Sequence, residues 1–215
     1  MAFSGAALVG FIIAHLAGNL QIFWGQEPLN AYAVFLRRIG ELLWFARIFL
    51  IAMVVIHIWT SVQLSLENAA ARPQAYAQKR YIKASLASRT MIWSGLIVLA
   101  FIIYHLLHFT FLKVHPQYSH LIDAQGRHDV YSMVVLSFQR WPISLVYIIS
   151  VVLLCFHLSH GISSMFQSLG FNNLRVRPAL SVWGAAVAWL ICIGYVSIPV
   201  AVLTGIVKLP PGVQP

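Results

Sequence analysis

The sequence predicts an all-α integral membrane protein, a bundle of five transmembrane helices. Its 215 residues are 60% hydrophobic and 9% charged, whereas a soluble domain is about 25% charged. The 14 basic and 5 acidic residues leave five long charge-free runs, at 1–26, 48–66, 90–112, 141–174 and 178–207. These runs are continuously apolar, unlike a membrane β-strand, which alternates over about 10 residues. A soluble globular protein, a disordered tail and a nucleic-acid binder are therefore excluded.

Each charge-free run is long enough for one span, because about 20 apolar residues cross the hydrocarbon core. The first run contains no basic residue, so it lacks the usual form of a signal peptide. The stretch Arg175-Val-Arg177-Pro178 separates the fourth span from the fifth, and Pro178 suits the first turn of a helix. The predicted helices of this single domain, residues 1–215, are about 3–24, 44–66, 91–112, 142–165 and 179–206.

The loops give a prediction of orientation. Cytoplasmic loops of membrane proteins are enriched in Lys and Arg. The loops 67–90 and 166–178 together carry seven basic residues, and the opposite side also carries seven, so the totals tie. The densest cluster lies in 67–90, a polar and partly helical loop, and it favours the cytoplasm for that side. The N-terminus is then cytoplasmic and the C-terminus lies outside.

Nine histidines in so apolar a chain are the main functional signal. Ionisable groups inside a membrane are costly and usually functional. Each of the first four spans carries one histidine well inside it, namely His15, His57, His105 and His157. Two more follow three residues later, at His108 and His160. The other three, His115, His120 and His128, are interpreted as ordinary residues of the 113–141 loop.

The first and third spans resemble each other, because Phe11-Ile-Ile-Ala-His15-Leu16 matches Phe101-Ile-Ile-Tyr-His105-Leu106. At a rise of about 1.5 Å per residue, His15 and His105 both lie roughly 20 Å from the side that bears loop 67–90. His57 and His157 lie roughly 10 Å from that side in a core about 30 Å thick. The sequence therefore predicts two levels of two histidines, about 10 Å apart.

Two histidines at one level fit a bis-His haem, since haem needs only two axial ligands. A zinc site would need further ligands, and the spans offer no Asp or Glu to supply them. Two stacked b-type haems follow, with saturated iron suited to electron transfer. The alternative, that these histidines only pack and hydrogen-bond, is disfavoured by four matched depths on four helices. His108 and His160 are the substitute ligands if the choice within either pair is wrong.

Other features allow two interpretations each. Small residues lie on the ligand-bearing faces, where they would admit a porphyrin or simply pack helices: Gly18, Ser61 and Gly161. Arg47 and Arg89 lie near span ends and would pair with haem propionates or anchor the interface. Four tryptophans near span ends suggest an aromatic belt, at Trp24, Trp44, Trp93 and Trp141. The two cysteines, Cys155 and Cys192, are expected to pack as small apolar residues.

At these residues the chain resembles the di-haem cytochrome b membrane anchor of succinate:quinone oxidoreductases and fumarate reductases, the type with five helices in one polypeptide. The resemblance covers nearly the whole chain. It is carried by four segments and by the fifth span's lack of histidine: His15-Leu-Ala-Gly-Asn19, His57, Ser94-Gly95 through His105, and Phe156-His157-Leu-Ser-His160-Gly161 through Gly170. The Arg175–Pro178 stretch is also similar.

The resemblance implies a cytoplasmic membrane of a prokaryote and a role in electron transport. His15 and His105 would ligate the distal haem b, and His57 and His157 the proximal one. Flavoprotein and iron–sulfur subunits would dock on the cytoplasmic side, and the chain would pass electrons from succinate to quinone, usually menaquinone. The chain itself would not act on succinate. Three polar residues are candidates for the quinone site near the distal haem: Asn19, Gln21 and His108.

The sequence differs from the family at one point, and two alternative functions are considered. Some fumarate reductases of the family use a Glu in the fourth span, and 141–174 contains no acid; succinate oxidation is therefore favoured, with fumarate reduction as the alternative. Another di-haem quinone cytochrome, such as the nitrate reductase membrane subunit, tends to place two ligands on one helix. A haem-free transporter or anchor usually shows intramembrane acids or inverted repeats, and neither is present here.

Overall fold

The computed structural model describes residues 1–71, 89–171, 173 and 175–213. Most of the predicted loop 67–90 therefore lies outside the described residues. The described residues are helical apart from short connections and one isolated bridge between Ile122 and His128.

Five helices are long and apolar enough to cross a membrane, which confirms the predicted number. We call them the first to fifth spans. They run over Ala2–Trp24, Gly40–Ala70, Met91–Thr110, Trp141–Ser168 and Arg177–Leu203. The ends of four spans agree with the prediction within about three residues. The second span begins four residues before and ends four residues after the predicted 44–66. A helix satisfies its own backbone hydrogen bonds, so it continues past the apolar segment that the charges delimit.

Two spans end in non-α turns. The α-helix Ala2–Asn19 of the first span continues as a 3₁₀ turn over Leu20–Trp24. The α-helix Met91–His105 of the third span continues as a π turn over Leu106–Thr110. After it, Leu112 has a φ of 52°, a left-handed conformation that costs energy in a residue with a Cβ. π turns and strained residues often mark functional sites.

Three shorter helices lie together at one end of the bundle, which we call the C-terminal side because the chain ends there. They are the α-helices Gln26–Arg38 and Val130–Gln139 and the 3₁₀ turn Pro116–His120. The opposite end, which carries Met1, is the N-terminal side. Asp129 caps the 130–139 helix by accepting a 3.1 Å hydrogen bond from the Ser132 amide.

A buried polar cluster joins the short helices. The fully buried Asn30 amide donates to Asp123 and Asp129 at 3.0 Å each, and its oxygen accepts from the Tyr131 amide at 3.0 Å. Gln26 donates to Asp129 at 2.7 Å. Buried carboxylates are tolerated only when they are hydrogen-bonded or paired in this way. The cluster therefore fixes the 26–38 helix against the segment 121–131.

Arg127 completes this cluster from the solvent side. It donates to Asp123 at 2.7 Å and also pairs with Glu27. The hydrogen bond from Arg127 lowers the pKa of Glu27. Burial opposes ionisation of Asp123, but hydrogen bonds from Arg127, Asn30 and the Gln125 amide outweigh it, and its pKa is lowered. Both carboxylates are therefore ionised at neutral pH.

The fifth span runs beside the first in the same direction and beside the fourth in the opposite one. Gly194 faces Leu16, and the Tyr195 hydroxyl donates to the Ile12 carbonyl at 2.8 Å. A Cβ on Gly184 would lie 3.1 Å from the Ser163 backbone nitrogen, so glycine allows close contact between the fourth and fifth spans. Apolar side chains from both ends of the chain form the largest core cluster at the C-terminal side, among them Ile22, Val135, Phe138, Tyr147 and Val202.

The outer faces of the spans expose large apolar side chains, as lipid contact requires. The second span buries one residue, Met53. Tryptophans near span ends are exposed, with exposed fractions of 74% for Trp24, 62% for Trp44, 70% for Trp93 and 66% for Trp141. This placement is typical of an aromatic belt at the membrane interface.

Candidate functional site

The four histidines inside the spans form two pairs. The rings of His15 and His105 have centroids 5.8 Å apart at an interplanar angle of 86°. The rings of His57 and His157 have centroids 6.4 Å apart at 64°. Each pair joins two spans, the first to the third and the second to the fourth.

Both separations suit a metal ion shared by two imidazoles. A metal–imidazole bond is about 2 Å long and the ring centre lies about 1 Å behind the nitrogen, so the two centres are about 6 Å apart. Among the described residues there is no group of three or more His, Cys, Asp or Glu side chains that would hold a bare ion. A two-ligand set fits haem, which brings its own four equatorial nitrogens.

The two pairs lie at different depths. Gly5 is in contact with the His57 ring and Gly95 with the His157 ring, since a Cβ on either glycine would lie 3.6 Å from the Cε1 atom. His15 and His105 follow these glycines by 10 residues each, which corresponds to about 15 Å along a helix. The levels are thus about 15 Å apart rather than the predicted 10 Å. The predicted spacing relied on span ends and a core about 30 Å thick, whereas the glycine contacts relate the two levels directly.

The pairs also reveal an internal symmetry. Ser4-Gly5 precedes His15 and Ser94-Gly95 precedes His105 by the same 11 residues, counted from serine to histidine. Ser4 Oγ lies 3.3 Å from Nδ1 of His57, and Ser94 Oγ lies 3.0 Å from Nδ1 of His157. Parallel repeats of this kind are related by an axis along the membrane normal. The repeated Ser-Gly pair was the sequence signal for Ser4, which we did not use.

Aromatic side chains surround the pair nearer the C-terminal side. Phe11 stacks on His15 with centroids 5.3 Å apart. Phe101 and Tyr147 contact His105, and the Tyr147 hydroxyl lies 3.4 Å from its Nδ1. The environment is therefore apolar and tightly packed on the side of the third and fourth spans.

His108 has partners on both ring nitrogens. Its Nδ1 lies 2.9 Å from the Tyr147 hydroxyl and its Nε2 lies 3.2 Å from Ser137 Oγ. The side chain is 1% exposed and lies in the π turn that ends the third span. Neither nitrogen is open to a metal or a substrate, so this histidine is a packing residue of the C-terminal side.

The remaining candidates differ in their surroundings. His160 is half-buried on the fourth span, one turn after His157. Arg47 is exposed and its guanidinium lies over the Trp44 ring, 5.1 Å from the centroid, as an interfacial anchor would. Arg89 precedes the third span at the N-terminal side, the side nearer His57 and His157.

Three small residues lie on the ligand-bearing faces. The space beside the first, Gly18, is occupied by Tyr32 of the 26–38 helix. A Cβ at Gly18 would lie 2.7 Å from the Tyr32 ring, so this glycine serves helix packing. The Ser61 hydroxyl donates to the His57 carbonyl at 2.6 Å, within its own helix. Gly161 faces open space, because a Cβ there would meet nothing within 4 Å. Only Gly161 has the free surroundings that a porphyrin edge requires.

An open cleft of about 570 Å³ lies at the C-terminal side between the third and fourth spans. Its lining includes Tyr104, His115, Gln139, Arg140 and Trp141. A smaller cavity of about 240 Å³ shares Tyr104 with it and is lined mainly by apolar residues of the same two spans. Together they form a mainly apolar groove, with the polar side chains of His115, Gln139 and Arg140 at its open end.

His115 is the unexpected residue in this cleft. It is 9% exposed, and its Nε2 is buried without a hydrogen-bond partner among the described residues. Gln117 Nε2 lies 3.4 Å from its Nδ1. Burial, and then the charge of Arg140, lower the pKa of His115, so the ring is neutral at pH 7. The sequence had suggested only a loop residue, because nothing in its spacing indicates burial.

The polar residues proposed for quinone lie elsewhere. The Asn19 side chain donates to the His15 carbonyl at 2.8 Å, and Gln21 is half-buried in the 3₁₀ turn of the first span. Both are at the C-terminal side, near the level of His15.

The profile of the succinate dehydrogenase/fumarate reductase transmembrane subunit family matches residues 68–192, more than half of the chain. The chain belongs to this family. The match includes the third and fourth spans with His105 and His157, while His15 and His57 lie before it. The comparisons with curated proteins and with solved structures give no match.

Family membership agrees with the fold. The protein is a multi-pass membrane subunit of the succinate dehydrogenase and fumarate reductase complexes, whose membrane subunits assemble with a flavoprotein and an iron–sulfur subunit and often bind haem b. The two histidine pairs are the groups of this chain that suit such a cofactor.

Proposed function

We propose that the chain is the di-haem cytochrome b anchor of a succinate:quinone oxidoreductase, of the single-polypeptide type. The observation that carries this proposal is the meeting of one histidine from each of four spans in two pairs, with ring centroids 5.8 and 6.4 Å apart. Haem b would be held by these four histidines and would supply one-electron transfer.

Each pair has a defined role in this proposal. His57 and His157 hold the proximal haem near the N-terminal side, where the iron–sulfur subunit docks. His15 and His105 hold the distal haem near the C-terminal side. The two pairs thereby place carriers at two depths, so that the subunit connects its soluble partners with quinone across the membrane.

The cleft of Tyr104, His115 and Arg140 is our proposed site for the quinone head group. The unpartnered Nε2 of His115 and the guanidinium of Arg140 suit the carbonyl oxygens of a quinone, and the adjoining apolar groove suits an isoprenoid tail. We favour His115 over His108 for this site, since both ring nitrogens of His108 have hydrogen-bond partners. We favour menaquinone, on the resemblance alone.

Replacing His115 tests the quinone site. In the His115→Leu complex we expect quinone reduction by succinate to fall by at least tenfold, while reduction of a water-soluble dye and both haem spectra stay unchanged. His120→Leu is the matched control, because His120 is an exposed histidine of the same loop. Unchanged quinone reduction in His115→Leu would move the site towards Asn19 and Gln21.

We further propose that the N-terminal side faces the cytoplasm of a prokaryote and binds the flavoprotein and iron–sulfur subunits. Single cysteines at Asn68 and Ser119 report the two sides, since both residues are exposed and lie at opposite ends of the bundle. An impermeant thiol reagent should label Ser119→Cys, but not Asn68→Cys, in intact cells. The reverse pattern would invert the orientation. The native Cys155 and Cys192 are buried.

The direction of electron flow is proposed as succinate oxidation. The fourth span and the segment after it carry no acid up to residue 174, so the Glu that some fumarate-reducing relatives use has no counterpart there. Comparing the complex's turnover with succinate and quinone against that with fumarate and quinol tests this direction. A faster fumarate reaction would favour the alternative, a fumarate reductase subunit.

A further inference from the structure

Two buried serines contact the outward nitrogens of the His57 and His157 rings. Ser4 is 2% exposed and Ser94 is 7% exposed. Ser4 Oγ lies 3.3 Å from Nδ1 of His57, and Ser94 Oγ lies 3.0 Å from Nδ1 of His157. The two contacts are related by the internal repeat, so the same arrangement occurs twice.

Besides the imidazole, each serine hydroxyl has a backbone carbonyl within hydrogen-bond distance. Ser4 donates to the Met1 carbonyl at 2.8 Å, and Ser94 donates to the Met91 carbonyl at 3.0 Å. A serine hydroxyl has one proton to donate and two lone pairs to accept with. An imidazole that ligates through Nε2 carries its proton on Nδ1, and each serine can accept that hydrogen bond while it donates its own proton to the carbonyl.

We propose that Ser4 and Ser94 are positioning residues that prepare His57 and His157 as Nε2 ligands and set the electron donation of both rings. This inference rests on the proposed haem function. An acceptor on the far nitrogen fixes the tautomer and orientation of a ligating histidine and raises its basicity. Gly5 and Gly95, one residue later, leave the ring edges room, with 3.6 Å to Cε1 in each case.

The other histidine pair is held differently. His105 Nδ1 lies 3.4 Å from the Tyr147 hydroxyl, which is also 2.9 Å from His108. Among the described residues, no serine contacts the ring of His15 or His105. The serine acceptors are thus confined to one pair, and their effect is confined to the haem that this pair holds.

The direction of the shift in reduction potential follows from the electron donation of the imidazole ligand. A more basic ligand stabilises the oxidised iron, so the serine contacts lower the reduction potential of the proximal haem. Removing either hydroxyl should raise that potential, and removing both should raise it further. The distal haem should keep its potential, because its ligands do not contact these serines.

Redox titration of the purified complex, followed by optical and electron paramagnetic resonance spectra, tests the inference in Ser4→Ala, Ser94→Ala and the double variant. We expect one haem to shift to higher potential in each variant, with Thr at the same position restoring the original value. Ser163→Ala is the matched control, because Ser163 is also 7% exposed and bonds within its own helix.

Unchanged potentials and spectra in both alanine variants, or equal shifts of both haems, would overturn the inference. Selective loss of one haem that Thr restores would support it, because a hydroxyl and not the packing volume would then be required. If the proposed function itself is wrong, the unmodified complex will contain fewer than two haems, which distinguishes that outcome from failure of the serine inference.

Discussion

At the scale of single residues, the proposed function depends on four imidazoles from the first four spans. Each ring meets its partner from two spans away, with the first span facing the third and the second facing the fourth. His108, three residues after His105, has hydrogen-bond partners on both ring nitrogens. The ligand set that we propose rests on the two ring pairs.

Replacing His157 should remove one haem and leave the other. We expect His157→Ala to lose the proximal haem only, because His15 and His105 lie about 15 Å away at their own level. The optical spectrum and the haem content of the purified complex measure this loss. His160→Ala, one turn away on the same helix, should retain both haems. A loss in His160→Ala with retention in His157→Ala would exchange their roles.

A larger residue at Gly184 should loosen the contact between the fourth and fifth spans. A Cβ there already approaches the Ser163 backbone nitrogen to 3.1 Å, and backbone atoms cannot turn away. Gly184→Val should lower the free energy of unfolding by about 1–3 kcal/mol. Gly10→Val is the control, since a Cβ at Gly10 meets nothing within 4 Å. Thermal unfolding in the same detergent compares them; equal melting temperatures would contradict the packing argument.

At the scale of elements, the five spans were predictable because charge and apolarity alone mark the membrane. The 26–38 and 130–139 helices were not, because they mix polar and apolar residues and are stabilised by the Asn30 cluster, which joins segments about 100 residues apart. The four histidines were also predictable, from their even distribution over the spans. The repeated Ser-Gly pair marks Ser4 and Ser94 in the sequence, but their contacts with His57 and His157, like the cleft at His115, depend on packing between helices.

The Asn30 cluster predicts a specific weakness of the C-terminal side. Asn30→Leu removes donors from Asp123 and Asp129 and an acceptor from Tyr131. Each buried polar group left without a partner costs about 1–3 kcal/mol. We expect the 26–38 helix to become sensitive to protease at a lower temperature. Asn68→Leu, at an exposed site on the second span, should change nothing. Equal sensitivity of the two variants would contradict the role of the cluster.

The same side should lose stability in acid in two stages. Burial, and then the charge of Arg37, lower the pKa of His128 below 6.5, so its contribution is complete above pH 6.5 and declines as pH falls below it. The pKa of Asp123 is lowered from 3.8, so its contribution declines only below about that pH. Melting temperature against pH measures both stages. His128→Gln should make the first stage smaller without removing it, because the pKa of His115 is also lowered; an unchanged first stage would contradict the role of His128.

At the scale of the whole molecule, the first four spans carry two histidine pairs at two depths, and the fifth span packs against the first and fourth. The short helices cover the C-terminal side of the bundle, and the cleft lined by Tyr104, His115 and Arg140 lies on the same side. The two depths of paired histidines fit the electron-conducting role that we propose for this subunit.

The haem content and ligation of the purified complex test the central claim most directly. Pyridine haemochrome analysis should give two haems b per chain, and electron paramagnetic resonance should show two low-spin signals with no reaction towards carbon monoxide. One haem per chain, a haem that binds carbon monoxide, or a colourless protein would contradict the assignment of the two histidine pairs.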